Sequence, residues 1–286
     1  MGLKFARMHG CGNDFVVIDD RAGLWHAGRE ALAREICDRR KGLGGDGLIL
    51  IQPGLDGSDF RMTYVNRTGM DGEMCGNGGR CTVLRAAQLG LIRDAGTMAT
   101  DAGPIRAAIA GGVITLQMTP PVDERPPLRL EIAGQAFECF HIDTGVPHSV
   151  SFLGDEAALD ALDVEDIGRA LRRHAAFAPR GVNANFAVRR ADGSIRMRTY
   201  ERGVEMETLA CGTGAVAVGL MAHRRYGSAA PVLIHPTGGG LLKIGFRLAA
   251  GGFTEVTLAG PAELIAEGEV SESWLAAHGL TSALAE

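Results

Sequence analysis

Residues 63–78, TYVNRTGMDGEMCGNG, carry the strongest signal in the chain, because their pattern returns at residues 199–214, TYERGVEMETLACGTG. In both copies a Thr-Tyr pair precedes a Cys-Gly-x-Gly motif at the same interval, so that Cys75 in the first copy matches Cys211 in the second. A run of small and apolar residues follows each motif. Because an internal repeat indicates supersecondary units of one design, we expect whatever lies at Cys75 to have a counterpart at Cys211.

Length and composition indicate a globular protein of two domains. The chain has 286 residues, of which 46% are hydrophobic and 22% are charged, and these values leave enough apolar material for two cores. The net charge of −5 and the scattered Lys and Arg residues offer no basic surface for a polyanion. We therefore expect no nucleic-acid partner.

The sequence carries no targeting or membrane signal that we recognise. Residues 1–6, MGLKFA, lack the apolar core of a signal peptide, and the longest uncharged apolar stretch, residues 208–222, is too short to cross a bilayer. We expect a cytoplasmic protein with no membrane partner. In that compartment cysteines stay reduced, which favours a catalytic pair over a structural disulfide. The chain has six: Cys11, Cys37, Cys75, Cys81, Cys139 and Cys211.

The pattern of elements predicts an α+β fold. Short apolar runs such as residues 15–18 and 48–51 read as strands, and residues 29–40 and 156–174 have the spacing of helices. The helix after Cys211 is apolar on every face, so we expect it to be buried at the centre of its domain. The Pro-rich residues 119–127 are the best linker candidate. We place the domains at 1–119 and 120–270, with a helical tail at 271–286.

Both repeated cysteines stand where a helix begins. Unpaired N–H groups and the helix dipole favour negative charge there, so thiolate becomes accessible near neutral pH. The same N–H groups can hold a substrate carboxylate, and the glycines allow close backbone approach. Two such sites suit the inversion of a stereocentre, because one group must remove the Cα proton from one face while the other returns a proton to the opposite face.

Motifs for other chemistry fit poorly. Residues 42–47 match a dinucleotide-binding glycine pattern, but a helix precedes them and a strand follows, the reverse of the required order. Residues 212–217 also match the dinucleotide-binding glycine pattern, but the acidic residue that such a site needs about twenty positions further on is absent. Cys75 and Cys81 have the wrong spacing for a zinc pair, and none of the chain's lysines lies in the repeat to hold pyridoxal phosphate. We expect no metal and no cofactor.

Five motifs together resemble a known family. Residues 8–15 (MHGCGNDF), 75–81 (CGNGGRC), 145–148 (GVPH), 200–203 (YERG) and 210–214 (ACGTG) are similar to motifs of the diaminopimelate epimerases. These are cofactor-independent enzymes that interconvert LL- and meso-2,6-diaminopimelate for lysine and peptidoglycan synthesis. The resemblance implies two pseudo-twofold-related domains, each a curled mixed or antiparallel sheet around a central apolar helix, with the site between them.

The resemblance also implies roles for particular residues. Cys75 and Cys211 match the two bases, and His148 and Glu201 match positions that tune the thiol pKa values. The positions that match substrate-binding residues are Asn13, Asn66, Gly76, Asn77, Asn183, Glu201, Arg202, Gly212 and Thr213. Plainer interpretations stay open: Asn13 could hold a left-handed turn, His148 could be a loop residue, and Glu201 with Arg202 could be a solvated ion pair. The remaining four cysteines are expected to be structural.

Departures from the family pattern leave alternatives for the substrate. Val146 replaces a frequent asparagine, which removes an amide able to hold the distal amino-acid end, and Thr68 and Met70 also differ. A racemase of another amino acid, such as histidine, would use the same two thiols. A different class, a redox protein in which Cys75 and Cys211 pair, would instead be active when oxidised. A homodimer is left open by the sequence.

Overall fold

The computed structural model describes residues 2–25, 27–72 and 74–280, which divide into two units. Unit 1 combines residues 1–116 with residues 261–286, and unit 2 holds residues 117–260. None of the helices in these described ranges is both long and apolar enough to span a bilayer.

Unit 1 is built on a mixed sheet. Its strand β1 pairs antiparallel with β2, β2 parallel with β3, β3 antiparallel with β4, and β4 parallel with β5, while β5, β6 and β7 continue antiparallel. A helix intervenes between the members of each parallel pair, because parallel strands need a crossover connection. The elements are β1 (Leu3–Gly10), β2 (Asn13–Asp19), α1 (Arg29–Ile36), β3 (Gly47–Pro53), β4 (Phe60–Asn66), α2 (Gly76–Gln88), β5 (Ala95–Thr100), β6 (Gly103–Ala110) and β7 (Val113–Gln117).

Unit 2 follows, and the chain then returns to unit 1. The elements of unit 2 are β8 (Val122–Ile132), β9 (Gln135–Asp143), β10 (Pro147–Phe152), α3 (Glu156–Ala161), α4 (Val164–Arg172), a short 3₁₀ helix (Ala175–Phe177), β11 (Asn183–Arg189), β12 (Ile195–Glu201), β13 (Met206–Thr208), α5 (Gly212–Tyr226), β14 (Val232–His235), β15 (Leu242–Ala249) and β16 (Gly252–Gly260). The returning segment contributes β17 (Glu263–Val270) and α6 (Glu272–Ala277).

The two units share one topology. In unit 2, β9 pairs antiparallel with β10, β10 parallel with β11, β11 antiparallel with β12, and β12 parallel with β14, which leads antiparallel into β15 and β16. This is the order of β1 to β7. The outer strands also correspond, because β17 lies antiparallel on β1 as β8 lies on β9. The expected α+β fold of two like halves is therefore confirmed.

Topology corrects one likeness that the sequence suggests. The stretch Asn183 to Phe186 resembles the stretch Asn13 to Phe15, because each begins with asparagine and ends with phenylalanine. Asn13 begins β2, whose counterpart is β10, whereas Asn183 begins β11, whose counterpart is β3. The similarity is local and does not reflect the repeat.

The predicted domain limits differ from the two units. The end of the first domain at residue 119 falls close to the division after residue 116, but residues 261–270 lie in unit 1, because β17 pairs along β1. The Pro-rich segment predicted as a linker runs into β8. Among the described strands β8 pairs with β9, so it is an edge strand, where missing proline N–H groups are tolerated.

Three predicted helices also differ in extent, and the one predicted at residues 29–40 ends at Ile36. Residues 156–174 form two helices, because Leu162 is extended and Asp163 begins a new helix by accepting the N–H of Asp166 at 3.0 Å. In the predicted tail, α6 begins after Ser271, whose hydroxyl accepts the N–H of Trp274. Residues 281–286 lie outside the described residues.

A buried helix lies at the centre of each sheet. Helix α2 packs on β1, β2, β3 and β4, and α5 packs on β10, β11, β12, β14, β15 and β16. Every residue of α5 from Gly212 to Ala222 is buried, as its all-round apolar pattern predicts. A methyl group on Gly219 would lie 2.8 Å from Cβ of Ile244, which is itself fully buried. This glycine therefore lets the helix approach β15 closely.

We expect Gly219→Ala to destabilise the protein. Alanine favours a helix by about 1 kcal/mol over glycine, but overpacking a core costs about 1–3 kcal/mol, so the free energy of unfolding should fall by about 1 kcal/mol. Urea unfolding checks this. Gly154→Ala is the matched control, because its methyl would meet no atom within 4 Å, and its unfolding midpoint should stay near that of the wild type. Greater stability of Gly219→Ala would contradict the packing argument.

Candidate active site

Cys75 is the N-cap residue of α2. Its backbone is extended, with φ −105° and ψ 113°, and its Sγ accepts the N–H of Gly78 at 3.4 Å. The sulfur therefore takes up one of the backbone donors that the first turn of a helix leaves unpaired. This position places any negative charge on the sulfur against the positive end of the helix dipole.

Cys211 has the same geometry at the start of α5. Its backbone has φ −118° and ψ 114°, and its Sγ accepts the N–H of Gly214 at 3.3 Å. The Thr213 hydroxyl lies 3.5 Å from the same sulfur, and Thr144 donates a hydrogen bond to the Thr213 carbonyl at 2.9 Å. The repeated sequence thus yields a repeated local structure, sulfur cap included.

The last glycine of each motif is needed for space. A methyl group on Gly214 would lie 2.5 Å from Oδ1 of Asn185 and 3.2 Å from Sγ of Cys211. One on Gly78 would lie 3.1 Å from Cε of Met62 and 3.2 Å from a methyl carbon of Ile49. The amide of Asn185 and the sulfur of Cys211 therefore border the same side of Gly214.

The other four cysteines sit in surroundings that favour the neutral thiol. Burial raises the pKa of Cys11, Cys81 and Cys139, and it raises the pKa of Cys37 to about 12. Cys37 belongs to the apolar core of unit 1. None of these four caps a helix N-terminus among the described residues, so each lacks the feature that Cys75 and Cys211 share.

Asn13 and Asn77 are joined in unit 1. The amide of Asn77 donates to Oδ1 of Asn13 at 3.1 Å, and the amide of Asn13 donates to Asp46 at 3.2 Å. The left-handed turn before β2 is made by Cys11 and Gly12, at φ 55° and 91°, while Asn13 lies on the strand. Holding a left-handed turn is therefore not what Asn13 does.

Asn66 closes a turn at the end of β4. Its Oδ1 accepts the N–H and the hydroxyl of Thr68, at 2.9 and 2.6 Å, and the N–H of Met70 at 3.2 Å. The turn leads into the segment that ends at Cys75, so Asn66 helps to set the path of the chain toward the N-terminus of α2.

His148 lies on β10 in unit 2 and is fully buried, which excludes the interpretation as a loop residue. Its Nδ1 is 3.1 Å from the amide nitrogen of Asn185. That nitrogen also donates to two carbonyls, of Ser149 at 3.0 Å and of Asn183 at 3.3 Å, which fixes the amide orientation. Nδ1 must therefore accept, and the ring proton resides on Nε2.

The surroundings of His148 keep it neutral. Burial lowers its pKa to about 3, and the nearby His141 and Arg202 add to this effect. A proton on Nδ1 would face the amide donor of Asn185. The buried Nε2 has no hydrogen-bond partner among the described residues, so this N–H is a donor available to a ligand.

Asn183, Glu201 and Arg202 meet where β11 and β12 run side by side. The backbone N–H of Arg202 donates to Oδ1 of Asn183 at 2.7 Å, and the hydroxyl of Thr208 donates to Oε1 of Glu201 at 2.6 Å. Asn183 is buried, whereas Glu201 and Arg202 are half-buried. The predicted set is thus divided between the two units: Asn13, Asn66, Cys75, Gly76 and Asn77 lie in unit 1, and His148, Asn183, Glu201, Arg202, Cys211, Gly212 and Thr213 lie in unit 2.

The sequence patterns do not single out three further polar residues that hold members of the predicted set. Asp46 holds Asn13, Asn185 holds His148, and Arg80 bonds to Asn77 at 2.9 Å. Arg80 stands within the first cysteine motif, and Asn185 stands two residues after Asn183. Their closeness in sequence to residues of the predicted site is therefore the signal by which they could have been found.

Comparison with known sequences identifies the family. A model of the diaminopimelate epimerase family matches residues 5–122 and 140–263. The diaminopimelate epimerase of Chlorobaculum tepidum is 40% identical over 268 residues, which cover 92% of this chain and 100% of the relative. That of Hydrogenobaculum sp. is 38% identical over 279 residues, covering 94% of this chain and 99% of the relative.

Solved structures share the fold at low sequence identity. A PhzF-family phenazine biosynthesis protein of Bacillus anthracis has a TM-score of 0.74 at 14% identity, covering 95% of this chain and 99% of that one. A probable proline racemase of Agrobacterium radiobacter K84 has a TM-score of 0.70 at 17% identity, covering 94% and 93%. The family model matches most of this chain, and two relatives are at least 38% identical to it. The chain therefore belongs to the diaminopimelate epimerase family.

Proposed function

We propose that this protein is a cofactor-independent epimerase that interconverts LL- and meso-2,6-diaminopimelate, with Cys75 and Cys211 as its two bases. The observation that carries the proposal is the same sulfur-to-N–H cap at the first turn of two equivalent helices, 3.4 Å in α2 and 3.3 Å in α5. The names of the relatives favour diaminopimelate over another amino acid.

The reaction consists of two proton transfers, one at each cysteine. One cysteine, as thiolate, takes the Cα proton and becomes a thiol, while the other, as thiol, gives its proton to the opposite face and becomes a thiolate. The product is the inverted stereoisomer, and the pair of sulfurs has exchanged roles. The substrate carboxylate binds at the helix N-termini formed by Gly76-Asn77 and Gly212-Thr213, where backbone N–H groups stabilise the charge that develops on it.

The remaining predicted residues are assigned to binding and tuning. Asn13, Asn66, Asn183 and Arg202 bind the substrate, and Glu201 both binds it and tunes a thiol. His148 acts as a neutral donor through Nε2–H rather than as a base, since its pKa is lowered to about 3. The mechanism needs both sulfurs reduced, so the protein is expected to work in the cytoplasm.

Removal of either sulfur should abolish epimerisation. In heavy water the product formed from LL-diaminopimelate should carry deuterium at the inverted Cα, because the returned proton comes from a thiol in exchange with solvent. Cys75→Ala and Cys211→Ala should each lower kcat by at least about 10³-fold, within the range of lost acid–base catalysis. A chiral assay without added cofactor measures this.

Cys37→Ala is the control for this experiment, because Cys37 is a buried thiol with a pKa of about 12. It should keep nearly full turnover. Normal epimerisation by either Cys75→Ala or Cys211→Ala would refute the two-base assignment.

Gly214→Ala should impair catalysis more than its effect on stability explains. The new methyl would press on Oδ1 of Asn185 and crowd Sγ of Cys211, and small misplacements of reacting groups cost about 10²-fold. We expect kcat/KM to fall by at least about tenfold. Gly219→Ala strains the same helix away from the sulfur, so equal losses in both variants would show that only helix packing had been disturbed.

His148 should make the protein sensitive to acid. Its pKa is about 3 when folded and 6.5 ordinarily, so between these values the unfolded chain binds a proton that the folded chain does not. Stability is therefore lost as pH falls through this window. From pH 7 to pH 5, His148→Gln should lose about 2 kcal/mol less free energy of unfolding than the wild type.

Urea unfolding at the two pH values checks this expectation. Gly154→Ala, a change without a titratable group whose new methyl would meet no atom within 4 Å, serves as the control and should keep the wild-type dependence on pH. An unchanged dependence in His148→Gln would contradict a neutral buried histidine.

A further inference from the structure

Arg80 is a buried charge whose partners among the described residues are neutral. The whole residue is 0% exposed. Its guanidinium donates to the carbonyls of Gly76 at 3.2 Å and Pro261 at 3.0 Å, to Oδ1 of Asn77 at 2.9 Å, and to Sγ of Cys11 at 3.5 Å. Among the described residues no carboxylate forms an ion pair with it, so the positive charge is solvated by dipoles alone.

This placement is unfavourable by itself. A buried charge costs free energy unless an opposite charge compensates it. The contact with the Gly76 carbonyl places the guanidinium beside the first turn of α2, where the helix dipole is already positive. A negative charge at this end of the helix would attract both the guanidinium and the positive end of the helix dipole. Cys75 is the N-cap residue there.

The neighbouring groups leave Cys75 as the anion that fits. Cys11 and Cys81 have raised pKa values because they are buried, so both stay neutral near pH 7. The positive charge of Arg80 and the negative charge of a Cys75 thiolate act on Cys81 in opposite directions, which shows that both lie near it.

The described carboxylates nearest to α2 have their own partners. Glu263 on β17 is 66% exposed and lies 3.6 Å from His9 of β1. Glu267 on the same strand pairs with Arg85 of α2 at 2.5 Å. On the β2 side, Asp46 bonds to Asn13 and to Arg39 at 2.9 Å. Each of these is at least partly exposed to solvent.

The equivalent helix has no such charge. Val216 occupies in α5 the position that Arg80 occupies in α2, each following its cysteine at the same interval. Val216 is buried in an apolar helix. The sulfur caps of the two helices therefore match in geometry but differ in electrostatics.

We propose that Arg80 is a positioning residue for charge: it stabilises thiolate at Cys75, so that in the resting enzyme the thiolate is at Cys75 and the thiol at Cys211. The inference rests on the proposed function for its catalytic meaning. Arg80 acts through the first turn of α2, and its bond to Asn77 also fixes the amide that reaches Asn13.

The test measures each thiolate directly, without substrate. The purified full chain is treated with iodoacetamide from pH 5 to pH 9, and alkylation of Cys75 and Cys211 is followed separately by mass spectrometry of their peptides. In the wild type, Cys75 should reach half-maximal rate at a lower pH than Cys211. The reverse order would overturn the proposal, and this measurement requires no variant.

Two variants separate charge from hydrogen bonding. Arg80→Gln keeps donors but removes the charge, and at pH 5, where thiolate is the minor form, it should slow alkylation of Cys75 about tenfold, the effect of a one-unit rise in the pKa of this thiol. Arg80→Lys keeps the charge and should stay within about twofold of the wild type. Cys211 in the same samples is the internal reference, and its alkylation should not slow.

A purely structural Arg80 gives a different result. If hydrogen bonds alone matter, Gln and Lys slow alkylation of Cys75 equally, or neither does, and the proposal fails. Thermal unfolding of both variants establishes that they are folded. Because alkylation is read without turnover, this failure is distinct from failure of the proposed function, which normal epimerisation by Cys75→Ala would reveal.

Discussion

A backbone N–H that donates to a cysteine sulfur is the constraint on which the rest of the site depends. Three other helices of the described residues are capped by oxygen: Asp155, Asp163 and Ser271 accept N–H groups at 2.8, 3.0 and 3.2 Å. Helices α2 and α5 use sulfur, a weak acceptor, at 3.4 and 3.3 Å. The two central helices thus begin with the less stabilising cap, which is understandable if the cap must carry a proton.

The weak caps are supported by burial. Both helices are surrounded by the strands of their own sheets, so packing rather than capping holds them in place. Glycine at the third helical position then lets the donor N–H and neighbouring side chains approach the sulfur. The Cys-Gly-x-Gly motif therefore meets two structural requirements. The N-cap acceptor is a thiol, which can ionise, and the backbone beside the sulfur carries no Cβ.

Much of this arrangement could be predicted from the sequence, for reasons that are local. The repeat around Cys75 and Cys211 lies within a few turns of chain, and the apolar pattern of α5 requires burial wherever the helix packs. The pairing of β17 with β1 could not be predicted, because it joins the two ends of the chain and leaves no local signal. The edge position of β8, which tolerates prolines, is likewise a tertiary property.

Buried polar partners were hidden for the same reason. The roles of Asn185, Asp46 and Arg80 depend on the atoms that these residues contact in the folded protein. The neighbouring sequence does not indicate which atoms those are. Asn185, for example, is read from the sequence as one more polar strand residue, yet it determines which nitrogen of His148 carries the proton. Site residues defined by a motif are found early, whereas the residues that orient them are found only in the fold.

The halves of this protein have kept one backbone design and diverged in the side chains around it. If Cys75 and Cys211 are the two bases of the proposed mechanism, they hold one proton between them and would divide it equally in identical surroundings, since coupled groups titrate as a pair. Around α2 the structure has a charged guanidinium and two linked asparagines, while around α5 it has a neutral histidine held by Asn185, whose Oδ1 accepts the hydroxyl of Thr199. Duplication supplies the same backbone setting for both of the proposed bases, and unequal surroundings are what can assign the proton to one of them.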